Sequence, residues 1–299
     1  MSPMFDRLLK LLQGLDPGPM TEEEWMSLLW EAHTQRVLGL VSDATASLGL
    51  ELPFAAAGRL MMETDFIEQR NKAVNSAAGR LTEFFTGKGL HPVIQKGPAV
   101  AALYDNPLHR ESGDIDFFFN GEEFERARQQ AGTLATLHDE SDGAFWYKYD
   151  GVTIEHHPRY YDSACQFPEL EPGCPESQMI MLSVHILKHA LGRGIGLKQI
   201  IDYRTARRKL DFDGEIVAEL MRRAGLGRWQ SLLDDFGPDL KAIVSRQGNF
   251  GRKTKGTSRI ETAKAFLRKI PFALKYAPRE WLHTVIVLSR PKQHHFPNR

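Results

Sequence analysis

The sequence predicts an α+β fold: a small mixed β-sheet set between two helical regions. Three observations carry this. Apolar residues recur at helical spacing over the first 87 residues. At Leu90 the texture changes to short β-branched and aromatic runs bounded by Gly and Pro. Helical spacing then returns after the Pro/Gly-rich segment from Cys165 to Pro175. These breaks divide the chain into an N-terminal helical region (1–88), an α/β core (89–165) and a C-terminal helical region with a basic tail (166–299).

Residues 5–50 read as helical. Thr21 is a predicted N-cap, with Glu24 three residues on completing a capping box. Trp25, Leu28, Leu29 and Ala32 follow as an apolar stripe, and Val37–Leu48 reads as a further helix. After Leu52-Pro53, residues 56–87 read as one long helix. Its apolar positions are Leu60, Phe66, Ile67, Ala73, Ala77, Leu81, Phe84 and Phe85, with Arg70-Asn71-Lys72 expected on a solvated face. Gly87 and Gly89 end it.

His91–Gln95 is a predicted strand, and Pro98–Tyr104 a helix that opens on proline, where the missing N–H costs little. Asp114–Phe119 is a second strand and Gly121–Ala135 a charged helix. Phe145–Tyr149 and Val152–His157 flank Asp150-Gly151, a strong hairpin signal. That order implies a mixed sheet with helices on one side. Helices follow at Ser177–Leu191, Leu197–Leu210, Phe212–Ala224 and Arg228–Val244, the last interrupted at Gly237-Pro238. A polar, glycine-rich loop (246–258) and a helix from Ile260 to Tyr276 complete the reading.

The 299 residues, 42% hydrophobic and 25% charged, suit one large or two smaller soluble domains. No apolar run reaches membrane-span length, and Met1–Asp6 has no basic stretch leading into an apolar core, so a signal peptide is not expected. Two cysteines, Cys165 and Cys174, make a disulfide framework or a zinc site a poor expectation; the cytoplasm fits best. Net charge is zero, yet Lys241–Arg299 carries fourteen Lys/Arg against two acids. Such a tail either packs on the acidic body or offers a surface to phosphate groups or nucleic acid. Packing is the favoured reading, because the tail carries no known nucleic-acid motif.

The chemistry concentrates around Asp114-Ile115-Asp116. On a strand, both carboxylates project from one face while Ile115 and Phe117 enter the other. Two adjacent carboxylates repel unless a divalent cation lies between them. In Val152–His157 the same alternation puts Thr153, Glu155 and His157 on a polar face, where Glu155 is a candidate third carboxylate and His157 can orient one. Lys96-Gly97 can bring a cation and backbone N–H groups to a triphosphate, although an ordinary strand–helix turn explains it equally well. Arg110 can hold a phosphate or a site carboxylate, or lie on the surface. His185, Lys188 and His189 share a helix face that lacks the glutamate of a zinc motif and better suits an anion or a helix contact, with Asp202 expected to pair with a basic group.

Arg70-Asn71, Lys96-Gly97, Arg110, Gly113-Asp114-Ile115-Asp116, Glu155 with His157, and His185/Lys188/His189 occur in an order that resembles a bacterial family of uncharacterised nucleotidyltransferases. That family belongs to the polymerase-β-like superfamily, and the resemblance spans residues 20–235. It implies an NTP substrate, two Mg²⁺ ions (or Mn²⁺) about 3.5–4 Å apart on Asp114 and Asp116, and Glu155 completing the metal site. It also implies Lys96, Gly97, Arg110, His185 and Lys188 around the nucleotide. NMP would pass to a hydroxyl on a protein, small-molecule or RNA acceptor, with pyrophosphate released. This chain departs from the superfamily's Gly-Ser loop at Pro98 and from its commoner third aspartate at Glu155. Two alternatives stay open: a catalytically inactive nucleotide-binding regulator on the same fold, and a metal-dependent glycosyltransferase, which would place a larger parallel sheet before the motif.

Overall fold

The computed structural model describes residues 3–235, apart from 141, 162, 164, 192 and 193, together with 244 and 270–277. Four helices open the chain: α1 (Pro3–Leu12), α2 (Glu22–Thr34), α3 (Leu38–Ser47) and α4 (Phe54–Thr86). The capping box forms as expected, Thr21 accepting from the Glu24 N–H while Glu24 accepts from the Thr21 N–H. Then come β1 (Val93–Ile94), the single-turn α5 (Pro98–Ala101), a 3₁₀ turn (Pro107–His109) and β2 (Asp114–Phe118). After α6 (Glu123–Ala131) the chain adds β3 (His138–Asp139), β4 (Phe145–Tyr149) and β5 (Val152–His157). The rest is helical: α7 (Pro175–Leu191), α8 (Leu197–Lys209), α9 (Gly214–Arg223), α10 (Gly227–Asp234) and α11 (Ile270–Tyr276).

The strands form one sheet in the order β1-β2-β5-β4-β3. Only β2 and β5 run parallel; the other pairs are antiparallel. The parallel register sets Asp114 opposite Thr153 and Asp116 opposite Glu155. Only the two-residue β1 precedes β2 among the described residues, so the parallel sheet that a glycosyltransferase would place before the motif is not found. The β3 strand escapes the sequence because its two exposed residues carry no apolar alternation.

Period-two alternation divides the sheet between two apolar cores. Ile115, Phe117, Phe119, Ile154 and His156 pack with α4 (Val74, Ala77, Leu81, Phe85) and with Phe124 and Ala127 of α6. Phe118 faces the other way, into a larger core that α1–α3 share with α7–α10. The N- and C-terminal helices therefore bury one another's apolar faces, each fully buried Leu, Ile or Phe contributing about 1.5–3 kcal/mol.

Two expectations for α4 need correction. Phe66 and Ala73 are exposed, because the buried stripe shifts to Ile67, Asn71 and Val74. Asn71 is not on a solvated face; it is buried, for the reason given below. The basic tail from Lys241, the 246–258 loop and most of the 260–276 helix lie outside the described residues, where only Val244 and 270–277 are seen.

Candidate active site

β2 ends the path from α4 and carries Asp114 and Asp116 on the face away from the Phe117 core. Asp116 is buried, and its Oδ1 accepts from Lys96 Nζ at 2.8 Å and from His157 Nε2 at 2.9 Å. His157 Nε2 also lies 3.7 Å from Glu155 Oε2. Asp116, Glu155 and His157 each offer a ligand atom within 4.8 Å of the other two, the only such group among the described residues. Two carboxylates and an imidazole at that spacing suit one divalent cation. Asp114, half-buried and two residues away on the same face, stands outside the group but within its field.

The electrostatics follow from this crowding. Burial, then the Asp116 charge, raises the Asp114 carboxyl. Burial, then Asp116 and Asp114, raises Glu155. Burial opposes the ionised form of Asp116 too, but Lys96 and His157 outweigh it and hold this carboxyl far below the usual range. The three carboxylates thus divide into one permanent anion and two neighbours that resist ionising beside it.

The Lys96-Gly97 turn is brought in by geometry that only glycine permits. Gly97 sits at φ +60, and a Cβ there would lie 2.7 Å from the Asp114 carbonyl oxygen. Gln95 anchors the residue before the turn, donating to the carbonyls of Arg159 and Tyr160. The α5 helix that follows has four residues and begins on proline, so the expected N-terminal dipole is replaced by a single turn. Lys96 also lies 3.5 Å from His185 Nδ1 of α7, and His185 Nε2 is 3.1 Å from His189 Nε2. Burial, then Lys96, pushes His185 well below its ordinary value, so a neutral imidazole accepts from Lys96 through Nδ1 and donates through Nε2. His185 therefore reaches the site. Lys188, with a half-exposed side chain, has Nζ 3.8 Å from Asp142 Oδ2 and acts on His185 through its charge.

Arg110 is fully buried rather than on the surface, and its guanidinium is directed away from solvent. Nε and Nη2 donate to the two oxygens of Asp202, at 3.0 and 2.7 Å, while Nη1 donates to the Gly97 carbonyl and Ser112 Oγ at 3.1 Å. Through those donors Arg110 ties the Gly97 turn to α8. Burial opposes the Asp202 charge, but Arg110 and then Lys198 outweigh it and bring the carboxyl down to about 2. The Tyr104 hydroxyl also donates to Asp202 at 2.7 Å; with Arg110 and Lys198 on the same carboxylate, the expectation that Asp202 pairs with a basic group holds.

Asn71, one of the residues that carry the resemblance, was expected on a solvated face and is instead buried. Its amide donates to the carbonyls of Leu108 and Arg110 and accepts from the Ser112 N–H, which fixes the loop leading into Asp114. The signal was a polar residue on the apolar stripe of α4, three residues before Val74. Sequence reasoning missed Lys198; its ammonium is pushed down to about 8 by burial and then by Arg110.

A family model described as an uncharacterised nucleotidyltransferase matches residues 21–232, and the chain belongs to that family. No curated protein and no solved structure matches it.

Proposed function

We propose that the protein is a cytoplasmic, metal-dependent nucleotidyltransferase that passes NMP from an NTP to an acceptor hydroxyl and releases pyrophosphate. The observation that carries this reading is the parallel register of β2 and β5, which seats Asp116 beside Glu155 on one face with His157 and Lys96 around them. Family membership supplies the reaction class.

Asp116, Glu155 and His157 would hold a divalent cation, with Asp114 as the further carboxylate. When bound, the cation offsets triphosphate charge and acidifies the acceptor hydroxyl. Mg²⁺ prefers oxygen ligands, and Mn²⁺ tolerates the His157 imidazole more readily. Asp116 supplies the constant negative charge. Glu155, whose carboxyl is raised, would take the hydroxyl proton as the acceptor oxygen bonds to the α-phosphorus. The bond from that phosphorus to the bridging oxygen breaks, and pyrophosphate leaves. Lys96 pairs with Asp116 and would offer its ammonium to a phosphate oxygen of the bound triphosphate. His185 accepts from Lys96 and steadies the ammonium.

The acceptor is a protein, a small molecule or RNA; an RNA acceptor predicts binding that weakens steeply with salt. Radiolabelled NTPs, tried singly with Mg²⁺ or Mn²⁺ and cell lysate, identify donor and acceptor together. Asp116→Asn and metal chelation should each remove metal-dependent pyrophosphate release by at least about a hundredfold. Undiminished release in Asp116→Asn would overturn the assignment.

A further inference from the structure

On the Asp114 side of the site, two cations from distant stretches of the chain act on the Asp114 carboxyl. Arg36 comes from the α2–α3 junction and Lys198 from the first turn of α8. The corner that joins them is built by Gln35, whose Oε1 accepts from the Leu197 N–H at 2.9 Å and whose Nε2 donates to Glu31 at 3.1 Å. The start of α8 is thereby pinned to the end of α2.

Arg36 sits at φ +58, just beyond the α2 C-cap, where helices prefer glycine. A side chain there carries a strain of about 1 kcal/mol, which asparagine or glycine would relieve. Its guanidinium lies over Gly113, where an added Cβ would meet Nη2 at 3.3 Å, and among the described residues its ion pair is a loose 3.6 Å contact to Glu111. Lys198 is mostly buried and lies 3.5 Å from Asp202, a carboxylate that Arg110 already holds with two hydrogen bonds and Tyr104 with a third. It is therefore a surplus cation on a satisfied anion, in the fields of Arg110, Arg36 and Asp114. A mostly buried ammonium in the field of two guanidiniums, with a carboxylate it must share, favours the arrival of a further anion.

We propose that Arg36 and Lys198 form the clamp for the triphosphate tail, on the Asp114 side, opposite Glu155 and His157. The assignment rests on the nucleotidyl-transfer reading and extends it: the leaving pyrophosphate lies against α2 and α8, and the acceptor enters past Glu155. The N-terminal helices are then part of the substrate site, and not only a packing partner for the C-terminal ones.

The test uses the full chain and inorganic tripolyphosphate with Mg²⁺, a probe without a base, titrated calorimetrically. Arg36→Gly removes the guanidinium and relieves the positive φ, so its melting temperature should stay level or rise. Lys198→Met keeps the buried stem. Each should weaken tripolyphosphate binding about tenfold, the value of a charge-assisted bond to phosphate, with Mn²⁺ binding unchanged. A role in packing alone predicts lost stability and unaltered affinity in both variants. Affinity within twofold of the parent protein in both overturns the clamp, and so does a parent protein that does not bind tripolyphosphate. If the parent binds, the variants weaken and no NTP is turned over with any acceptor, then the transfer reading fails and the clamp stands.

Discussion

The two faces of the β2–β5 pair are made by alternate residues of the same strands, and they do opposite things. The back face (Ile115, Phe117, Ile154 and His156) is buried against α4 and α6. The front face (Asp114, Asp116, Glu155 and His157) gathers three carboxylates, of which Lys96 and His157 keep Asp116 ionised while burial and its charge raise Asp114 and Glu155. Burial on one face supplies the stability that the other consumes, and a strand shifted by one residue would exchange them. His156 and His157 show how sharply the boundary runs. Burial drives the His156 imidazole down to about 3 among Phe119, Phe145 and Phe117, while its neighbour bonds Asp116.

The largest effect should come from the back face. Phe117→Ala removes a fully buried ring packed against Phe85 and should cost about 3–5 kcal/mol in urea unfolding. A loss below about 1 kcal/mol would mean that the sheet does not depend on this core. Next comes the hinge between the faces. Asn71→Ala deprives two carbonyls and one N–H of their buried partner and should cost about 2–3 kcal/mol. Because that loop leads into Asp114, nucleotidyl transfer should fall further than the stability loss accounts for.

Much of this was legible in the sequence. The capping box, the hairpin and the facing of Asp114, Asp116, Glu155 and His157 follow from period and turn chemistry, which are local. The partners of Arg110 and Asn71 were not legible, because Asp202 lies 92 positions from Arg110 and no spacing rule connects them. The shared core of the N- and C-terminal helices is hidden for the same reason: an apolar stripe states that it is buried, not what covers it.

The Arg110–Asp202 pair gives a smaller, pH-dependent effect. The folded Asp202 carboxyl lies at about 2 against an ordinary 3.8. A depressed carboxyl stabilises the fold fully above its unfolded value and loses that contribution as pH falls through its folded value. The contribution, on the order of 2 kcal/mol, should therefore disappear between about pH 4 and pH 2. Urea midpoints of the parent protein should fall across that window more than those of Asp202→Asn, which lacks the titrating group. Parallel curves would show that Arg110 does not depend on the Asp202 charge.

The smallest expected change in stability tests the front face most directly. Glu155 is more than a third exposed on its side chain, and its carboxyl is raised by burial and by Asp116 and Asp114. Glu155→Gln removes a repelled charge without changing the volume, so the metal-free protein should be as stable or gain up to about 1 kcal/mol. Pyrophosphate release should fall at least about a hundredfold if Glu155 is both cation ligand and proton acceptor, as proposed. The two readouts moving in opposite directions would establish that the front face is held against the preference of the fold. A parallel loss of both would instead make Glu155 a structural residue, leaving His157 and Asp116 to hold any metal without it.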